Sequence, residues 1–202
     1  MVNAQSIDSD IVFEDDVIRA FLAAEIDSDR QFERYRPLFD KYRVDRDILF
    51  SATNQALRKK FLSEARGWPD KLLFVHFPSD VKWFRASFES KDLAKFRYIN
   101  YSYWNELSSG TREPLRAADT VREGEEVFGT PNDGFLKIAR LTTQGEVFPP
   151  IILLRCSDDS YVIVEGHARV TGFALAGKIP QGQGFIVGMS EGNDKWAEER
   201  KD

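Results

Sequence analysis

Apolar and polar positions change period several times along this chain, and the sharpest change falls in residues 149–177, PPIILLRCSDDSYVIVEGHARVTGFALAG. An apolar run at 151–154 and a second at 161–164 flank a polar turn through Ser157, Asp158, Asp159 and Ser160. Two such runs about one turn predict paired, buried strands. Val170, Phe173, Ala174 and Gly177 then fall at i, i+3, i+4, i+7, which is one face of a helix. Glu165, Gly166, His167, Ala168 and Arg169 occupy the strand-to-helix corner.

The same reading elsewhere predicts helices over 14–24 (Val17, Ile18, Phe21, Leu22), over 29–42 with an interruption at Pro37, and over 55–65. Residues 1–10 are polar and are expected to be mobile. Residues 72–77 read as a strand or a buried connection. The alternation in VKWFRASF predicts a strand over 81–88, and 91–98 then turns helical. Pro114 after Ser and Thr residues predicts a helix over 115–121. A turn-rich stretch over 123–134 follows, and 185–189 reads as a closing strand before a charged tail. The fold class is α/β (α+β): a small mixed sheet in residues 68–202, with an added helical region in 1–67.

Composition narrows the function. With 42% hydrophobic residues and 16 Phe in 202 residues, the chain folds rather than staying disordered. A net charge of −5 argues against a general polyanion-binding surface. The single cysteine, Cys156, excludes an internal disulfide and fits a reducing compartment. No apolar run approaches a membrane span and no leader pattern opens the chain, so a cytoplasmic protein without membrane contact is expected. Arg58, Lys59, Lys60 and Arg66 form the densest basic cluster of the first half, either a solvated helix face or a nucleic-acid contact. His76 lies in LLFVHFP and reads as a core or boundary residue; no Cys/His spacing suits zinc, so no metal ligands are assigned.

The corner is the first candidate site. A helix start offers free amides and a partial positive charge to an anion, and Gly166 permits a close backbone approach. Arg169 in the first turn opposes the helix dipole unless an anion is bound there. The plainer alternative makes Arg169 a solvated side chain and His167 a polar cap. If Arg169 serves a phosphate, its removal should change ligand-free stability little. Ser109, Gly110, Thr111 and Arg112, just before Pro114, form the second candidate, a phosphate-binding loop or simply a capped one. The aromatic residues around Tyr101, Tyr103 and Trp104 either fill a core or form a wall on which a base stacks.

Residues 144–180 resemble the ParB/sulfiredoxin superfamily: a glycine, a proline before a strand, a hairpin, the Glu165–Arg169 box, a helix ending in Ala-Gly, then Ile-Pro. That resemblance implies a small α/β domain whose box (Gly166, His167, Ala168, Arg169) cradles nucleotide phosphates, with Arg112 as a further contact. It implies ATP, ADP or CTP as ligand, with or without Mg2+. It also implies that an acidic residue (Glu165 or Glu146), with His167, acts in phosphoryl transfer or nucleotide hydrolysis if the protein is an enzyme. Sulfiredoxin chemistry is set aside because Gly166 stands where the nucleophilic cysteine would be. No helix-turn-helix of a segregation protein follows. Two other functions stay open: a DNA-binding or DNA-cleaving ParB-like nuclease, and a non-enzymatic interaction module that meets a protein partner through the N-terminal helices.

Overall fold

The computed structural model describes residues 7–202. Of the N-terminal stretch expected to be mobile, residues 1–6 lie outside the described residues, and the remainder belongs to a strand. Strand β1 (Ile7–Val12) leads into helices α1 (Glu14–Ile26), α2 (Asp29–Tyr42), α3 (Arg46–Phe50) and α4 (Gln55–Arg66). A 3-10 turn (Leu72–Phe74) precedes β2 (Lys82–Ala86), and a second (Ser90–Lys95) precedes the two-residue β3 (Phe96–Arg97). Helices α5 (Ser102–Leu107), α6 (Pro114–Arg122) and α7 (Asp133–Thr143) follow, then β4 (Ile151–Arg155), β5 (Tyr161–Glu165), α8 (His167–Ala176), β6 (Phe185–Met189) and α9 (Asn193–Glu198).

The strands form one six-stranded mixed sheet in the order β1-β2-β6-β4-β5-β3, with β4 parallel to β6 and β3 parallel to β5. This is the α/β (α+β) class that the pattern predicts. Helices cover both faces, which explains why β4, β5 and β6 are apolar at successive positions instead of alternating. Ile152, Leu154, Val162, Val164 and Ile186 enter one core together with α1–α4, Trp83 and Trp196. Ile151, Leu153, Tyr161, Ile163, Phe185 and Val187 enter the other, beneath α5–α8. Residues 1–67 thus supply a strand to the sheet and most of one covering layer. The first core runs across the 67/68 boundary drawn from sequence.

Several elements differ from the sequence expectation, each for a local reason. Helix α2 continues through Pro37, which is exposed, while Tyr35 and Leu38 on the opposite face are buried. The carbonyl freed by the proline belongs to exposed Glu33, so water can satisfy it. Of the two readings of residues 72–77, the strand fails and the connection is buried in part: a 3-10 turn (Leu72–Phe74) runs into a further turn with Phe74 and Phe77 buried, while exposed Leu72 and His76 take left-handed backbone angles. Helical character over 91–98 stops at Lys95, inside a 3-10 turn capped reciprocally by Glu89 and Asp92, because Phe96 is drawn into pairing with Tyr161. The stretch over 123–134 is turn-rich as expected, with a 3-10 turn at Val127–Gly129, up to Asp133, where helix α7 begins. The charged tail holds α9, whose Trp196 is fully buried and donates to the Leu73 carbonyl at 3.2 Å.

Candidate functional site

The corner between β5 and α8 sits where β4 and β6 begin and β5 ends, since Ile152 pairs with Glu165 and Ile151 with Phe185. Gly166 is the N-cap residue of α8 with φ of 108°, a conformation that strains any L side chain. A Cβ at this position would also stand 2.6 Å from Ile151 Cδ1. No side chain caps α8 and no acidic residue lies in its first turn. The amides of His167, Ala168 and Arg169 have no acceptor within the helix, because the ladder opens with the Val170 amide bonding the Gly166 carbonyl at 2.9 Å.

Arg169 is buried at 9% exposure, not solvated. Its guanidinium forms an ion pair with Glu165, four residues back, and donates to the Pro149 carbonyl. Gln183, also buried, donates to the same carbonyl at 3.3 Å, so the 148–150 connection is held from two sides. Burial pulls the Arg169 pKa down to about 10, opposed by the charge of Glu25. Arg169 therefore stays charged at neutral pH.

His167 is not a cap. Its ring stacks on Trp104 (centroids 5.1 Å apart, planes at 17°), and Trp104 stacks on Tyr98 at 4.7 Å. Part of the residue reaches the surface, but Nε2 is buried and has no hydrogen-bond partner among the described residues. Burial, with the cation of Arg66 adding to it, pushes the His167 pKa down to about 3. The imidazole is consequently neutral at physiological pH and cannot serve as a cationic phosphate clamp. Thr171 Oγ1 donates to the His167 carbonyl at 2.8 Å, which fixes the first turn and leaves Tyr98 Oη to donate to Thr171 Oγ1 at 2.7 Å. Burial raises the Tyr98 pKa.

The N-terminal layer acts on this corner through charge, Arg66 on His167 and Glu25 on Arg169. Glu25 of α1 pairs with Arg66 of α4 and accepts from Tyr35 of α2, and Arg66 also donates to Gln31 at 2.9 Å. Sequence reasoning missed Glu25, Trp104, Thr171 and Gln183 as residues that act on the box or its connection. Only the aromatic run around Trp104 carried any signal of such a role.

The second candidate segment lies elsewhere. Arg112 Nε donates to the Tyr98 carbonyl at 2.9 Å, and its guanidinium holds the Ala197 carbonyl (2.7 Å) and Glu198 (2.9 Å) of α9. It borders a cleft of about 380 Å³ that also includes Cys156, Ser157, Asp158 and Asp194, on the β4–β5 turn side. Gly166 follows the opposite end of five-residue β5, on the order of 15 Å away along the strand. Ser109 and Gly110 are exposed, and Thr111 Oγ1 bonds back to the Ser108 carbonyl at 2.9 Å. The structure brings Glu165, Gly166, His167, Ala168 and Arg169 together, and Arg112 is linked to them through Tyr98, whose carbonyl it binds and whose ring lies 6.0 Å from that of His167. Glu146 is exposed on the connection after α7.

Arg58 is fully buried and paired with Asp15 at 2.7 Å, Lys59 with Glu14 at 3.0 Å, and Arg66 with Glu25. The basic cluster is therefore largely spent inside the helical layer. His76 is exposed, not a core residue, and Nδ1 meets Glu199 at 2.5 Å. Cys156 is buried, and burial followed by the charge of Asp194 pushes its thiol up to about 12. It is thus a poor nucleophile. Among the described residues no group of three or more His, Cys, Asp or Glu is placed to hold a metal ion. No helix among them is long and apolar enough to cross a membrane.

Chemically, the corner offers uncapped amides, a neutral imidazole nitrogen, and a guanidinium whose charge partner is the adjacent carboxylate. An incoming phosphate could take the amides and exchange with Glu165 for Arg169. Comparison with known proteins returned no matching family model, no matching curated protein and no matching solved structure.

Proposed function

We propose that the β5–α8 corner binds a phosphate group of a nucleotide, with the α8 amides and Arg169 as its donors. The observation that carries this reading is the meeting, within one turn, of an uncapped helix N-terminus with a buried guanidinium. A phosphate oxygen satisfies both at once. Glu165 in this reading is the resident anion that the ligand must displace, so Glu165→Gln should tighten binding by about tenfold. The test is a titration of ATP, ADP, CTP and GTP, with and without Mg2+, read by melting temperature and by phosphate release. A ligand at one hundred times its Kd should add about 2.7 kcal/mol of stability. No shift with any nucleotide, in both the parent protein and Glu165→Gln, would sink the reading. Phosphate release in the same titration separates a hydrolase from a binding protein.

A second reading is favoured by the ion pair itself. If Arg169, Glu165 and the Pro149 carbonyl are a lock that holds the connection to the sheet, the protein is a non-enzymatic interaction module with a stabilised corner. The DNA-binding reading draws no comparable support, because carboxylates already engage Arg58, Lys59 and Arg66.

A further inference from the structure

The ladder between β2 and β6 ends at the Ala86–Phe185 pair, and beyond it the two chains diverge. Residues 87–90 on one side and 179–184 on the other line a cleft of about 530 Å³, more than an inorganic ion needs and within the range of small-molecule sites. Its polar groups are mostly donors. Arg85 borders the cleft, is exposed, and has no carboxylate or carbonyl partner among the described residues. By contrast Arg58, Arg66, Arg112, Arg122 and Arg155 each face a carboxylate. The backbone amides of Phe88 and Gly182 meet no acceptor among the described residues. Gly182 also has no heavy atom within 4 Å of where a Cβ would stand, so its backbone can be approached. Ser90 Oγ accepts from the Ile179 amide at 3.1 Å, which leaves its own proton to give, and Ser87 adds an exposed hydroxyl. The carboxylate on the lining, Glu89, is held by Lys91 at 2.6 Å and does not offset Arg85.

We propose that this cleft is a binding site for a small organic anion, a carboxylate or a phosphate monoester, with Arg85 holding the charged end. The amides of Phe88 and Gly182 and the hydroxyls of Ser87 and Ser90 complete the donor set, and Ile179 and Pro180 give the hydrocarbon part an apolar side. A surplus of donors calls for a ligand that brings acceptors, and a guanidinium fork matches the paired oxygens of either group. The Gly184 carbonyl accepts from the Ile151 amide at 3.1 Å, and the neighbouring Ile152 pairs with Glu165. Two strand spacings, roughly 10 Å, therefore separate this cleft from the β5–α8 corner. The site does not depend on the phosphate reading of that corner.

The test titrates benzoate, phenyl phosphate and benzyl alcohol into the full chain and follows the backbone amides by NMR. The three share a ring, so a difference among them reports the charged group. The expected result is that benzoate, phenyl phosphate or both move the amides of residues 87–90 and 179–184 to saturation, whereas benzyl alcohol leaves them in place. Whichever anion binds names the group that the site takes. Arg85→Gln should weaken that binding by about tenfold or more. Its melting temperature should stay unchanged, because Arg85 is exposed and holds no partner in the fold. Arg85→Lys keeps the charge without the fork and should fall between the two. The amides of His167, Ala168 and Arg169 report the corner separately in the same spectra, so the two sites succeed or fail independently. No saturable movement at 87–90 and 179–184 with either anion overturns the proposal. Equal movement with benzyl alcohol, or undiminished anion binding in Arg85→Gln, overturns it as well.

Discussion

Arg169 occupies a position where a cation is opposed twice, once by the α8 dipole and once by burial. Glu165 is what makes that position tolerable. Removing one member of a buried pair leaves the other charge uncompensated, at a cost of about 3–5 kcal/mol. Arg169→Ala should therefore destabilise the ligand-free protein by that amount, contrary to the expectation from sequence of little change. Its burial and its pairing with Glu165 are the reasons for the reversal. Replacing both partners (Arg169→Met with Glu165→Met) should recover most of the loss, because an apolar pair of similar volume needs no charge compensation. Chemical denaturation of the two single variants and the double variant measures the coupling; additive losses would show that the ion pair is not what Arg169 contributes. His167 gives a second prediction at this scale. Its folded pKa of about 3 lies below the ordinary histidine value of about 6.5. Between those values the unfolded chain binds the proton and the folded chain does not. The stability contribution is thus fully present above about pH 6.5 and is lost as the pH falls toward 3, on the order of a few kcal/mol. His167→Phe keeps a ring on Trp104 but cannot titrate. It should lose less stability than the parent between pH 7 and pH 4, and identical pH profiles would refute the assignment.

At the scale of elements, α8 is held as closely by its neighbours as by its own hydrogen bonds. It lies against α7 where a Cβ added at Gly172 would stand 2.3 Å from Ile138 Cγ2 and 2.7 Å from Ile138 Cβ. The second of these atoms is not the free end of a flexible side chain, so the helices themselves must shift. Alanine gains up to about 1 kcal/mol in helix propensity over glycine, but overpacking an interface costs about 1–3 kcal/mol. Gly172→Ala should therefore lower stability, and a rise in the denaturation midpoint would refute the close approach. The elements around this contact differ in how readable they were from sequence. Strands β4, β5 and β6 and helix α8 are legible because uninterrupted apolar runs and a 3.6 period are local signals. Strand β1 is not: IDSDIV carries aspartates that disfavour strands, and the segment is extended because β2 offers it an edge. Strand β3 is two residues long and exists through its pairing with β5. The box is legible for the same reason as α8, since a glycine stands at a change of period. Its partners are not, because Pro149, Gln183, Thr171 and Trp104 reach it through tertiary packing that spacing does not encode.

Across the whole molecule, the sheet is a shared wall between two cores, and the N-terminal helices are half of what covers it. Phe21 of α1 meets Phe74 at 5.9 Å, Phe74 meets Phe77 at 5.3 Å, and Phe77 meets Trp196 of α9 at 5.2 Å. This chain of rings ties the first helix to the last across the same face of the sheet. Without residues 1–67, that face would present Ile152, Leu154, Val162, Val164 and Ile186 to water, together with much of Trp83 and Trp196. Each of the aliphatic side chains contributes about 1.5–3 kcal/mol by burial, and together they rival the net stability of a typical domain, about 5–15 kcal/mol. A fragment of residues 68–202 should accordingly fail to fold cooperatively, binding a hydrophobic dye and showing poorly dispersed amide resonances. The intact chain should unfold in one transition, with tryptophan fluorescence and far-ultraviolet dichroism giving the same midpoint. Trp196→Ala, which truncates a fully buried ring at the junction, should lower that common midpoint by an amount equivalent to about 3–5 kcal/mol without splitting it. A fragment 68–202 that melts sharply near the temperature of the intact protein, or two separated transitions in the intact chain, would show instead that the α/β part carries its own core and that the helical layer is an appended unit.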